Sequence, residues 1–186
     1  MYRARARDAG AAKHIADELA RDILGAALGI APDAVEISRR CVHCDDPVHG
    51  KPFVVGEPDL SFSVTHSGEF ALVALAERAV VGIDAEAVRA RSHLDRLAAR
   101  VLDGDALAAW TKAPSSEQLT QFLRAWTAKE AYLKAVGLGI ATRLRDVPQA
   151  PSGWTMQALD DLPAYVATVA VDRAARVESG DWQPVS

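Results

Sequence analysis

Residues Gln118 to Gly139 read QLTQFLRAWTAKEAYLKAVGLG, and the rest of the chain is organised around them. Ser115 with Gln118 three residues later has the capping-box pattern, directly after Pro114, and Gly137 supplies a stop in the left-handed conformation. The pattern predicts one long helix between these points. Leu119, Phe122, Leu123, Trp126, Leu133 and Val136 fall at helical spacing, and the position that completes the stripe between Trp126 and Leu133 is Glu130. A carboxylate therefore stands in the middle of an apolar face. Burying it unpaired costs several kcal/mol, which predicts a cation partner, either a metal ion or Lys134 one turn on. Lys129 and Lys134 lie at the two edges of the stripe, where their stems pack and their charges reach a cleft. The plain alternative is a structural Glu130–Lys134 pair on a partly exposed helix.

With 186 residues, 49% of them hydrophobic, the chain can bury a sizeable core as one domain or two packed halves. A formal net charge of −4 argues against general nucleic-acid binding. Neither a leader pattern nor an uninterrupted apolar run long enough to cross a membrane is visible, so a soluble cytoplasmic protein is expected. Cys41 and Cys44, the two cysteines, do not make a secreted disulfide framework.

Asp8 to Leu28 carries Ile15, Leu19, Ile23, Ala26 and Ala27 on one face and reads as a helix ended near Gly29; Val35 to Arg40 reads as a strand after a turn at Pro32 and Asp33. Cys41 to Pro52 is a loop. Its Cys-x-x-Cys with His43 and His49 invites a zinc reading against that of two ordinary thiols, since a second Cys pair is missing. Gly50, Lys51 and Pro52 can present backbone groups and one charge to a phosphate. Leu60 to Ser67 alternates, with Leu60, Phe62, Val64 and His66 on one face and Ser61, Ser63, Thr65 and Ser67 on the other. His66 reads as a structural residue, a general base or a phosphate contact; the adjacent serines point to the opposite face, which argues against serine nucleophile chemistry.

Phe70 to Ala76 reads as a central strand paired with Val80 to Glu86 across a polar turn. In that second strand Asp84 and Glu86 project from one face, roughly 6 to 7 Å apart at the backbone, with Gly82 leaving room beside them. Two like charges in one space call for a cation, and oxygen donors select a hard ion such as magnesium; the alternative is a strand running out into solvent. Helices are predicted over Ser92 to Val101 and Asp103 to Trp110, and strands over Trp154 to Leu159 and Ala164 to Val171, with a frayed tail from Asp172. The order of elements implies an α+β fold of two similar halves, residues 1–88 and 89–186, packed as a pseudo-twofold monomer with the active site at their seam.

Taken together, Gly50-Lys51-Pro52, the block Phe62 to Ser67 (FSVTHS), the block Val81 to Glu86 (VGIDAE) and the W-x-x-K-E-A-x-x-K-x-x-G-x-G block from Trp126 to Gly139 resemble, in order, the signature blocks of the 4'-phosphopantetheinyl transferases, and the pseudo-dimeric surfactin-synthetase-activating type in particular. The resemblance covers most of residues 50–139. It implies transfer of phosphopantetheine from coenzyme A to a serine of an apo acyl or peptidyl carrier protein, leaving adenosine 3',5'-bisphosphate. It further implies that Asp84, Glu86 and Glu130 hold magnesium or manganese, that Glu130, Lys134 and His66 act in the chemistry, and that Lys51, Pro52, Thr65, His66 and Lys134 grip the coenzyme. Lys13 and Arg40 are candidates for its 3'-phosphate. Ser63 and Thr65 stand where the family more often has Asn and Ser, and Ala85 replaces a common Ile. Arg89, Arg91, Arg96, Arg100, Arg143 and Arg145 are candidates for a patch steering an acidic carrier. Two other readings stand beside this one: a different magnesium-dependent phosphoester enzyme acting on a nucleotide, and a zinc-stabilised binding module built on Cys41 and Cys44.

Overall fold

Alternation and periodicity place most elements close to where the sequence predicts them. The computed structural model describes residues 1–5, 12–41, 50–139 and 142–181. Helix α1 (Ala12–Leu28) buries Ala16, Leu19, Ala20, Ile23 and Leu24 along one stripe, as an amphipathic segment must, and gives way at Gly29 with φ 69°. Its apolar stripe lies on the antiparallel hairpin of β4 (Leu60–Ser67) and β5 (Phe70–Glu77), against Phe62, Ala71 and Val73. Removing Phe62 from water alone contributes on the order of 2–3 kcal/mol. β5 also pairs antiparallel with β1 (Tyr2–Arg5), which pairs parallel with β9 (Gly180–Asp181). β2 (Ile37–Arg40) and β3 (Lys51–Val54) form a separate antiparallel pair with Arg40 opposite Lys51.

The second layer is the sheet β6-β8-β7, from β6 (Val81–Ala87), β7 (Thr155–Leu159) and β8 (Tyr165–Val171), all antiparallel. Helix α4 (Ser115–Val136) covers it, and α2 (Leu94–Val101) and α3 (Gly104–Lys112) pack on α4, with Trp110, Phe122 and Leu123 at the centre of their contact. α4 packs on both β6 and β8. The fold is α+β, and no helix among the described residues is long and apolar enough to cross a membrane.

Several expectations are corrected. β5 does not pair with β6: β6 hydrogen-bonds to β8, and on its other edge it meets side chains. Ser61, Ser63 and Ser67 on β4 accept from the backbone N–H groups of Val81, Ile83 and Ala87 at 3.2, 3.1 and 3.0 Å. The polar face of β4 is thus buried as a hydroxyl ladder that satisfies an open strand edge. The capping box at Ser115 does not form; Gln118 instead exchanges bonds with Trp110, its backbone oxygen accepting from Nε1 at 2.8 Å and its Nε2 donating to the Trp110 carbonyl at 3.2 Å. α2 likewise starts without a side-chain cap. The tail past Asp172 is not wholly frayed, because β9 docks on β1, a strand whose short YRAR sequence gave no alternation to read.

Candidate active site

Three elements bring the acidic residues together. β6 carries Gly82, Asp84 and Glu86 on one face, and α4 lies on that face because Gly82 has no side chain: a Cβ there would run into the Ala131 carbonyl oxygen and stand 2.6 Å from the Ala135 nitrogen. α4 contributes Glu130 and, one turn on, Lys134. β4 contributes Thr65 and Ser67 from the ladder side.

Asp84 is 6% exposed. Its Oδ1 accepts from Lys134 Nζ at 2.7 Å and from Thr65 Oγ1 at 3.2 Å, while its Oδ2 is buried with no partner among the described residues. Burial pushes the Asp84 carboxyl up and Glu86 adds to this, with Lys134 and Thr65 pulling the other way. Glu86 Oε2 accepts from Arg91 Nη2 at 2.6 Å and from Ser67 Oγ at 3.3 Å. Glu130 is half-buried and carries neither hydrogen bond nor ion pair among the described residues; burial raises its pKa, and the facing charges of Asp84 and Glu86 raise it further against the pull of Lys134. The expected Glu130–Lys134 pair is therefore replaced by a Lys134–Asp84 pair.

Among the described residues no group of three or more His, Cys, Asp and Glu side chains converges closely enough to cage a metal as it stands. Lys134 and Arg91 neutralise two of the acids from within the chain. The donor set still fits a hard divalent ion: the groups are carboxylates, one of them has a buried oxygen without a partner, and Glu130 lacks a bonded cation.

The remaining candidates divide into two groups. His66 is exposed and borders a pocket of about 440 Å³ together with Lys13, Arg21, Arg39 and Pro52. Lys51 and Pro52 border a smaller one, about 220 Å³, with Arg39, Ser63, Lys134 and Gly139. The Lys51 ammonium is turned inward, however, donating to Ser61 Oγ at 3.1 Å, Val81 O at 3.2 Å and Ala135 O at 2.7 Å, so that one charge ties β4, β6 and α4. Burial brings its pKa down to about 8. Arg40 is exposed and borders neither pocket. A roomier cavity of about 490 Å³ lies under residues 173–180, but it holds none of the candidates, so charge rather than volume marks the site.

Comparison with known proteins bears directly on this constellation. The family model described as the 4'-phosphopantetheinyl transferase superfamily matches residues 80–175, which contain β6, α4 and hence all three acids. The 4'-phosphopantetheinyl transferase HetI of Nostoc sp. is 33% identical over 172 residues, covering 88% of this chain and 69% of that protein. The chain belongs to the 4'-phosphopantetheinyl transferase superfamily. The 4'-phosphopantetheinyl transferases psf-1 of Bacillus pumilus (31% identical, 68% of this chain, 54% of that protein) and gsp of Aneurinibacillus migulanus (33%, 50% and 37%) are further relatives, and they agree with the surfactin-synthetase-activating type.

Within this superfamily member, sequence reasoning missed three features. Lys129 does not reach a cleft: it is 1% exposed, and its Nζ donates to the carbonyls of Val101 (2.7 Å) and Leu144 (3.1 Å), locking the end of α2 and the 3-10 turn Leu144–Asp146 onto α4. Ser67, part of the polar end of β4 and of the FSVTHS block, carries no role in the sequence reading, yet its hydroxyl bonds Glu86 Oε2. Arg91, grouped with surface arginines, is partly buried on Glu86 and its Nε has no partner among the described residues. Cys41 is buried at the end of β2, whereas His43, Cys44 and His49 lie outside the described residues.

Proposed function

We propose that the chain transfers 4'-phosphopantetheine from coenzyme A to a serine hydroxyl of an apo acyl or peptidyl carrier protein, releasing adenosine 3',5'-bisphosphate. The observation that carries this reading is the packing of α4, which bears Glu130, on the Asp84–Glu86 strand at Gly82, with Asp84 Oδ2 buried and unpartnered among the described residues, in a chain of this superfamily. These three carboxylates would hold magnesium or manganese, which when bound supplies charge neutralisation for the pyrophosphate. Lys134 Nζ, already directed at Asp84, adds a positive charge to the same space. Lys13, His66 and Pro52, with Arg39 beside them, border a pocket suited to the nucleotide and its 3'-phosphate, while Lys51 ties β3 to β4 behind it and Thr65 stands beside His66 on β4.

In the reaction the serine oxygen bonds to the phosphorus that bears pantetheine and the P–O bond of the pyrophosphate breaks. The serine proton passes to Glu130 or to a water molecule beside it. Negative charge gathers on the departing bisphosphate, where Lys134 opposes it. The chain acts as a cytoplasmic monomer of two similar halves, 1–88 and 89–186. The packing of α1 on β4–β5 and of α4 on β6–β8 supports two halves, but β6 (Val81–Ala87) belongs to the sheet of the second half rather than the first. Incubating the protein with coenzyme A, magnesium and a panel of apo carrier proteins tests the proposal by mass: one phosphopantetheine gained on a carrier is expected, and no gain on any carrier overturns it. A phosphoester enzyme of another kind would instead consume coenzyme A with no carrier present.

A further inference from the structure

Asp84 and Glu86 share a pattern that the proposed chemistry does not by itself require. Each carboxylate has one oxygen bonded twice, once by a hydroxyl of β4 and once by a cation, and one oxygen without a bond from the described residues. At Asp84 the bonded oxygen is Oδ1, held by Thr65 Oγ1 and Lys134 Nζ, and the open one is the buried Oδ2. At Glu86 it is Oε2, held by Ser67 Oγ at 3.3 Å and Arg91 Nη2 at 2.6 Å, which leaves Oε1. Ser67 has a single hydroxyl proton. Because its lone pairs accept the Ala87 N–H at 3.0 Å, that proton is free to go to Glu86.

The two strands are matched for this. Thr65 and Ser67 are two apart on β4, and Asp84 and Glu86 are two apart on β6, so both pairs face one another when the strands are in register. The bonds from Val81, Ile83 and Ala87 N–H to Ser61, Ser63 and Ser67 set that register with a constant offset of twenty residues. A slip of one residue would turn every hydroxyl away from the acids. Only at Thr65 does the hydroxyl reach a carboxylate without also serving a recorded backbone N–H, and that carboxylate is the more buried of the two.

We propose that Ser67 is a positioning residue for a divalent cation: together with Thr65, and with Arg91 and Lys134 as the charged halves, it forms a pair of hydroxyl–cation clamps that fix one oxygen of each carboxylate and leave the other as the metal donor. This rests on the reading of the site given above and deepens it. Outer hydrogen bonds of this kind orient a ligand before the ion arrives, and their loss costs metal affinity even though the hydroxyl never touches the metal.

The test uses the full chain without coenzyme A and Mn²⁺ as the probe, with free Mn²⁺ followed by electron paramagnetic resonance. Ser67→Ala is expected to raise the Mn²⁺ Kd about tenfold, and Ser67→Thr, which keeps the hydroxyl, to restore most of it. Ser63→Ala removes a ladder bond of the same kind that serves no carboxylate, and it is expected to leave the Kd unchanged even where it lowers the melting temperature. A wild-type Kd in Ser67→Ala overturns the proposal, as does an equal loss in Ser63→Ala or a wild-type chain that binds no Mn²⁺ at millimolar concentration. If the wild type modifies a carrier while Ser67→Ala keeps its Mn²⁺ affinity, the clamp fails and the transferase reading stands. Clamp-dependent Mn²⁺ binding in a chain that modifies no carrier supports the clamp and removes that reading.

Discussion

Lys129 is buried and the half-buried Lys51 turns its ammonium inward, each onto backbone carbonyls. Lys129 has only carbonyl partners, so removing it strands two acceptors and opens a cavity at the junction of α2, α4 and the 3-10 turn. Lys129→Ala is expected to lower the unfolding free energy by about 2–4 kcal/mol in urea titration, against less than about 0.5 for the exposed Lys112→Ala. Lys51 gives a pH signature. Its pKa falls to about 8 in the folded protein from 10.5, so between these values the unfolded chain binds more protons than the native one, and stability attributable to Lys51 rises with pH across that window. The stability of the wild type relative to Lys51→Met, measured in urea at intervals from pH 7.5 to 10.5, is therefore expected to grow as pH increases; a flat difference would mean that the ammonium is not desolvated.

At the scale of elements, the closest fit is between α4 and β6. Gly82→Ala forces the helix backbone away from the strand, which is expected to cost about 1–3 kcal/mol by thermal or urea unfolding and to weaken Mn²⁺ binding, because Glu130 moves away from Asp84. Much of this was legible. The length of α4, its left-handed stop at Gly137, the alternation of β4 and the same-face acids of β6 are local patterns, and local patterns survive folding. What could not be read was long-range. Nothing in Val81 to Ala87 says that its partner is β8, which begins only at Tyr165, rather than the neighbouring β5, and nothing in LSFSVTHS says that its hydroxyls will serve as backbone partners for another strand. Glu130 and Lys134 at i and i+4 suggest their own ion pair, but Lys134 pairs with the more deeply buried carboxylate of Asp84, whose need for compensation is greater.

For the whole molecule, partner choice turns on surface charge. Arg89, Arg96, Arg100, Arg143 and Arg145 are exposed, and α2 packs against the turn that carries Arg145, so the arginines of both elements lie on neighbouring surface. Arg91 does not belong with them, because its guanidinium is committed to Glu86. Arg96→Glu combined with Arg100→Glu is expected to raise KM for an acidic carrier several-fold, more at low salt than at high salt, with kcat little changed in steady-state assays. An unchanged KM would remove α2 from the docking face.

The account stands on Asp84, Glu86 and Glu130 acting as one site, and the most direct test of that is the rate at which folded Glu130→Gln and Asp84→Asn variants load an apo carrier protein from coenzyme A in the presence of magnesium. Several kcal/mol of charge stabilisation at about 1.36 kcal/mol per tenfold in rate leads to an expected loss of at least about 100-fold in each variant, followed by intact-mass spectrometry of the carrier. Loading by either variant at the wild-type rate would contradict the three-carboxylate site.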